Sequence, residues 1–185
     1  MTFRGTQRWV FAATVLLAMI GTVRLGVGAT NEEAVSEARR TVERFRKADP
    51  GLDRFFHRAA GYAVFPGVGK GGYWIGGAHG SGVVFESGFP IGKVTLNQVS
   101  VGPQIGGQEY AEVIFFETPQ ALADFKDGKL KLSAQASAVA LTSGAAAVAK
   151  YRDGVAIFTE VKGGLMAEAS VGGQKFSFEP FSTPR

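Results

Sequence analysis

Apolar side chains recur at helical spacing at the start of the region beyond residue 29. At about 100° per residue they fall on one side of a helix, and they are Val35, Ala38, Val42 and Phe45. Thr30 and Glu33 have the T-x-x-E spacing of a capping box, which marks a helix start. The pattern therefore predicts an amphipathic helix that begins after Thr30.

A second helix is predicted directly after the first. Asp49 suits a helix cap and Pro50 suits the first helical position, so this pair ends one helix and begins the next. Gly61 closes the second helix, whose apolar face comprises Leu52, Phe55, Phe56 and Ala59. The two helices are expected to form an amphipathic hairpin lying on a core.

From Gly61 onward the pattern becomes extended, and glycine is frequent, with 26 in 185 residues. A helix over Thr118–Lys126 interrupts this region, and alanine alternation favours a strand within Lys131–Leu141. The other predicted strands are Tyr62–Phe65, Tyr73–Ile75, Gly82–Phe85, Val94–Val101, Glu112–Phe116, Val155–Phe158, Leu165–Val171 and Lys175–Phe178. We predict an α+β fold, with the helical hairpin packed on a curved, glycine-rich antiparallel sheet or partial barrel.

The first 29 residues have the features of a secretory signal peptide. Arg4 and Arg8 precede the 15-residue apolar run Trp9–Val23, and the small residues Gly28 and Ala29 follow. A membrane-spanning helix needs about 20 apolar residues, so the run is short for a permanent anchor. We expect a signal peptide over 1–29, one domain over 30–185, and an exported protein in the periplasm or at the envelope. An uncleaved signal anchor is the alternative.

Charge and cysteine content narrow the functional classes. The chain has 20 basic and 16 acidic residues, a net charge of +4, and no cysteine. Residues 1–29 hold three arginines and no acid, so the remainder has 17 basic residues against 16 acidic, a net charge of +1. Such a balance does not favour nucleic-acid binding, and the lack of cysteine excludes disulfides and thiolate sites.

Catalytic and cofactor motifs are weak. Gly67–Gly72 contains G-x-G-x-x-G, but strand-like residues follow it where a dinucleotide site requires a helix, so we interpret it as a turn between strands. His57 and His79 lack partners at metal-binding or triad spacing, and the sequence around Ser81 does not match a nucleophile elbow. We therefore expect no catalysis, no metal, no nucleotide and no cofactor.

Basic residues are concentrated between Arg39 and Lys70, a segment that contains eight basic and three acidic residues. Beside aromatic residues, such a region suits an anionic lipid surface. A solvated helix face is the alternative interpretation. The candidate lipid-binding residues are Arg40, Arg44, Lys47, Arg54, Arg58, Lys70 and Trp74.

The run from Ala60 to Phe85 (AGYAVFPGVGKGGYWIGGAHGSGVVF) resembles the core of the SYLF domain family, as do Ser100–Gly107 (SVGPQIGG) and the strand carrying Phe115 and Phe116. This resemblance implies a module that binds lipids with anionic, phosphoinositide-like headgroups. Bacterial members of the family carry a signal peptide, as this sequence is expected to. The resemblance implies no list of ligand-contacting residues, and an actin role is not expected of an exported chain.

Two further functions are kept as alternatives to lipid binding. One is a structural or stress-related envelope protein that binds a protein partner, of unknown identity, through the same face. The other is a hydrolase, against which the missing catalytic triad argues.

Processing provides the first testable prediction. We expect the exported protein to begin at Thr30, because Val27, Gly28 and Ala29 supply the small residues that a signal peptidase requires. Intact-mass measurement on the exported protein checks this, and a species that retains Met1–Ala29 would contradict it.

Overall fold

The computed structural model describes residues 30–72, 75–101, 106–130, 132, 138–163 and 171–182. The predicted signal peptide, Tyr73 and Trp74, and nearly all of the predicted strand Leu165–Val171 lie outside these residues. None of the helices within the described ranges has both the length and the apolar character required to cross a membrane.

Helix α1 spans Asn31–Ala48 and confirms the first predicted helix. The Thr30 hydroxyl accepts a hydrogen bond from the Glu33 backbone N–H at 3.2 Å, and the Glu33 carboxylate accepts one from the Thr30 N–H at 2.8 Å. This is the capping box expected from the sequence. The helix buries one face, formed by Ala38, Thr41, Val42 and Phe45.

The second predicted helix is shorter than expected. A 3-10 turn over Pro50–Leu52 leads into α2, which spans only Asp53–Arg58, so the structure does not confirm the predicted helical hairpin. Asp49 follows α1 with an extended backbone, as is usual for a residue before proline. One of its carboxylate oxygens accepts from Gly51 N–H at 3.0 Å and the other from Ala146 N–H at 2.7 Å. A buried, fully bonded aspartate thereby ties the turn to a distant segment.

Within the described ranges, seven strands form one sheet in the order β5-β6-β4-β1-β2-β3-β7. All neighbours are antiparallel except β5 and β6, which are parallel, so the predicted wholly antiparallel sheet is wrong in this respect. Among the described strands, the edge strands β5 and β7 do not pair with each other, so the sheet is not closed. The remaining elements are β1 Gly61–Gly72, β2 Ile75–Glu86, β3 Phe89–Val101, β4 Gly106–Phe116, α3 Pro119–Lys126, β5 Val139–Ala140, α4 Ala145–Val148, β6 Val155–Gly163 and β7 Gln174–Pro180.

The glycine run Gly67–Gly72 is not a turn. It is the second half of β1 and pairs on both sides, for example Gly71 with Gly77 on β2 and with Gly107 on β4. The register of β1 against both neighbours shifts near Pro66, which places a β-bulge there. Glycine contributes no side-chain pattern, so backbone pairing with two neighbours decides the conformation of this segment.

Both faces of the sheet are buried. Helices α1, α2 and α4 cover one face, where Phe55 and Phe56 on α2 pack on Phe115 of β4 with ring centroids 5.4 and 4.8 Å away. Helix α3 covers the other face, where Phe125 lies 4.6 Å from Phe116 and 4.8 Å from Phe176. The domain is therefore α+β with helices on both sides of a sheet.

A buried polar pair shows that the sheet bends strongly. Gln174 on β7 donates to Glu112 on β4 at 3.0 Å, although three strands lie between them in the sheet order. Glu112 is fully buried on the α3 side of the sheet, and this burial raises the pKa of its carboxyl group to about 7, against the opposing effect of the Gln174 hydrogen bond. Its second oxygen has no hydrogen-bond partner among the described residues.

The raised pKa of Glu112 predicts a pH-dependent stability. Between the unfolded value of 4.5 and the folded value of about 7, the native state binds more protons than the unfolded state, so stability falls as the pH rises through this window. Glu112→Gln mimics the protonated acid and should remove this loss, on the order of 3 kcal/mol at most. Urea unfolding of both proteins at pH 5 and pH 8 measures it, and an equal pH dependence in both would contradict the prediction.

Candidate functional site

The exposed side of α1 carries a basic surface. Arg40 and Lys47 lie opposite the buried stripe and are exposed, as the helical spacing predicts. Six residues line a shallow open depression of about 420 Å³ along this side: Ser36, Arg39, Arg40, Glu43, Arg44 and Lys47. We call this set the α1 basic face. Its position follows from the packing of α1, because the buried stripe fixes which side meets solvent.

Some cations on and beside the α1 basic face form ion pairs with carboxylates. Arg44 contacts Glu160 on β6 through two guanidinium nitrogens, each 3.0 Å from the same carboxylate oxygen. The neighbouring Arg46 pairs with Asp53 at 3.1 Å and with Glu43 at 3.8 Å. Since these guanidinium groups already have carboxylate partners, they are less available to an external anion.

Three cations of the α1 basic face have no carboxylate within 4.0 Å among the described residues, namely Arg39, Arg40 and Lys47. Arg40 donates instead to the Ser36 hydroxyl at 2.8 Å, which holds its guanidinium on the outer side of the helix. Arg39 was not among the residues predicted from the sequence. Its guanidinium carbon lies 5.8 Å from the centroid of the Phe85 ring, a contact across 46 residues of chain that helical spacing alone does not reveal.

The two candidates on α2 differ in their surroundings. Arg54 donates to the backbone carbonyl of Ala146, and its guanidinium carbon lies 5.0 Å above the centre of the Phe55 ring. It therefore holds α4 against α2. Arg58 is exposed in the last turn of α2, and no acidic side chain in the described ranges lies within ion-pair distance of it.

Lys70 does not project from a turn as expected. It lies within β1, between Gln108 on β4 and Ala78 on β2, and only 8% of its surface is exposed. Desolvation lowers the pKa of its ammonium group. Val68 and Ala78 belong to the core on the α3 side, so alternation places Lys70 on the face of the sheet opposite α1. Trp74 lies outside the described residues.

The two histidines lie on different elements. His57 Nδ1 is 2.6 Å from the Asp53 carbonyl oxygen within α2, and His79 Nδ1 is 2.9 Å from Asn97 Oδ1 across β2 and β3. Within the described ranges, no three histidine or carboxylate side chains come together as a metal site would require.

Residues 97–180 match a family model, Ysc84, described as "Las17-binding protein actin regulator". The match includes all of Ser100–Gly107 and Phe115–Phe116, and leaves out Ala60–Phe85. The chain is also similar to beta cell expansion factor A of Aeromonas veronii, with 29% identity over 130 residues, which cover 69% of this chain and 49% of that protein. The similarity thus spans about half the length of this relative.

Proposed function

Since residues 97–180 belong to a SYLF-family domain, we propose that the protein binds anionic phospholipid at a membrane surface through the α1 basic face and catalyses no reaction. The observation that carries the proposal is the set of three cations, Arg39, Arg40 and Lys47, that lack carboxylate partners among the described residues. They lie on a capped helix whose opposite side is buried, so the packing of α1 directs all three toward solvent.

Electrostatics supports this assignment in magnitude. Each lysine or arginine near an anionic membrane contributes about 1 kcal/mol, and the contributions fall off over a Debye length of about 8 Å at physiological ionic strength. Three such cations give moderate, reversible binding that increases with the density of negative lipid. Phosphoinositide-like headgroups, with several phosphates each, are the class that such a cluster favours.

The setting of the proposal is the cell envelope. The predicted signal peptide over residues 1–29 would export the domain, which supports a periplasmic or envelope-associated location. The exported domain would then bind anionic phospholipid on a membrane surface that faces away from the cytoplasm. This location is part of the proposal and rests on the sequence of the N-terminal segment.

A protein partner bound through the same face is the second candidate. The description of the matching family names binding to another protein, Las17. An acidic partner would use the same three cations and the same screening by salt. Binding to pure lipid vesicles, with no protein present, separates the two functions.

Charge reversal tests the proposal. Arg40→Glu combined with Lys47→Glu should weaken binding to vesicles containing anionic phospholipid at least about tenfold, because two attractive charges become repulsive. Neither side chain is buried, so the melting temperature should change little. Co-sedimentation with vesicles at low salt measures the affinity.

A charge-matched control accompanies this variant. Lys150→Glu with Lys175→Glu makes the same change in net charge at two exposed positions outside α1. The control should bind the vesicles nearly as well as the parent. Equal binding by parent and α1 variant would show that the α1 basic face is only a solvated surface, and an equal loss in both variants would show that net charge alone governs binding.

A further inference from the structure

A second concave site lies beside α1, on the same side of the sheet. The N-terminal half of α1 forms one wall of a cleft of about 310 Å³, and strands β2, β3 and β7 form its floor. This volume is at the small end of the range for small-molecule sites. The lining residues used below are Glu37, Ser81, Lys93, Thr95, Ser177 and Glu179.

Three hydroxyl groups lie in one row across the floor of the cleft. Ser81 on β2 is directly opposite Thr95 on β3, which is directly opposite Ser177 on β7. Side chains opposite one another on adjacent antiparallel strands have Cβ atoms about 4.5–5.5 Å apart and point to the same face. Each hydroxyl both donates and accepts hydrogen bonds. The row therefore presents alternating donors and acceptors at a spacing that suits a ligand with several hydroxyl groups.

The charged groups of the cleft disfavour an anion. In the next row of the floor Lys93 is directly opposite Glu179, and Glu37 reaches the cleft from α1. One ammonium group is thus accompanied by two carboxylates. A phosphate placed here would be repelled by both acids, whereas a neutral hydroxyl donates to a carboxylate and accepts from an ammonium group.

The remaining lining is apolar. Val83 lies on the floor and Pro66 lies at the bulge of β1, so apolar groups adjoin the polar ones. On the far side of the hydroxyl row, His79 and Asn97 are exposed and hydrogen-bonded to each other at 2.9 Å. This pair extends the polar floor toward solvent and adds further donors and acceptors.

We propose that this cleft binds an uncharged polyhydroxylated ligand of mono- or disaccharide size, with the hydroxyls of Ser81, Thr95 and Ser177 and the carboxylates of Glu37 and Glu179 as its polar contacts. The site is separate from the three cations assigned to anionic lipid. Binding here is expected to be insensitive to salt, because the ligand carries no charge for salt to screen.

The test uses nuclear magnetic resonance titration of the ¹⁵N-labelled protein with D-glucose, N-acetyl-D-glucosamine, maltose and myo-inositol, and separately with inorganic phosphate. Saturable shifts of the amides of Ser81, Thr95 and Ser177 with at least one of the polyols, and none with phosphate, are expected. Absence of saturable shifts at these amides with every polyol overturns the proposal, as does a response there to phosphate.

Thr95→Val removes the central hydroxyl and keeps the shape of the side chain. It should weaken the binding of the responding polyol about fivefold, the usual effect of one hydrogen bond. Thr142→Val is the matched control, an exposed threonine that does not line the cleft, and should bind like the parent. Equal affinity in all three proteins overturns the assignment of the hydroxyl row. Because the fold of each variant is checked by its amide spectrum, unfolding is not mistaken for lost contacts.

A second arm distinguishes a free saccharide from a sugar carried by a lipid. Vesicles of a neutral phospholipid, with and without a glycosyl diacylglycerol, are mixed with the parent and with Thr95→Val. Glycolipid-dependent binding that is lost in Thr95→Val supports the site and assigns the polyol to a lipid headgroup. Thr95-dependent binding of the free sugar alone supports the site for a soluble ligand. Glycolipid binding unaffected by Thr95→Val, without a response to free sugar, overturns the proposal.

Discussion

Burial of both faces of β1 is the constraint on which the rest of the structure depends. This strand lies at the centre of the sheet, with Val64 in the core beneath α1 and Phe65 in the core above α3, both fully buried. Each such side chain contributes about 1.5–3 kcal/mol when removed from water. Helix α1 must therefore lie on the sheet with Ala38, Val42 and Phe45 inward. The outward position of its cations and the wall of the neighbouring cleft both follow from that placement.

The elements with a strong periodic pattern could be predicted from the sequence. Helix α1, its capping box and its buried stripe are present as expected, because the T-x-x-E spacing and the apolar repeat act locally. The glycine run after Pro66 was interpreted incorrectly, since glycines carry no alternation and pairing with β2 and β4 is a property of the whole sheet. Similarly, β5 is parallel to β6, a pairing for which the short alanine-rich run gives no local signal.

The candidate site was predictable only in part, because contacts between distant parts of the chain leave no local pattern in the sequence. Helical spacing places Arg40 and Lys47 opposite the core, and the structure has them exposed there. Helical spacing cannot show that Arg44 pairs with Glu160, a residue 116 positions away, or that Lys70 is buried in a strand. Long-range contacts decide which cations keep a free charge. Only the folded chain distinguishes a cation available to a ligand from one that stabilises the protein.

Salt dependence of binding tests the central claim most directly. The unmodified protein is mixed with vesicles of neutral phospholipid and with vesicles containing an anionic phospholipid, and the bound fraction is measured at rising sodium chloride concentration. If unpaired cations on α1 attract phosphate, binding requires the anionic lipid and falls steeply as salt shortens the Debye length from about 10 Å at 0.1 M to about 3 Å at 1 M. Binding that is equal for both kinds of vesicle, or that does not change with salt, would contradict the account.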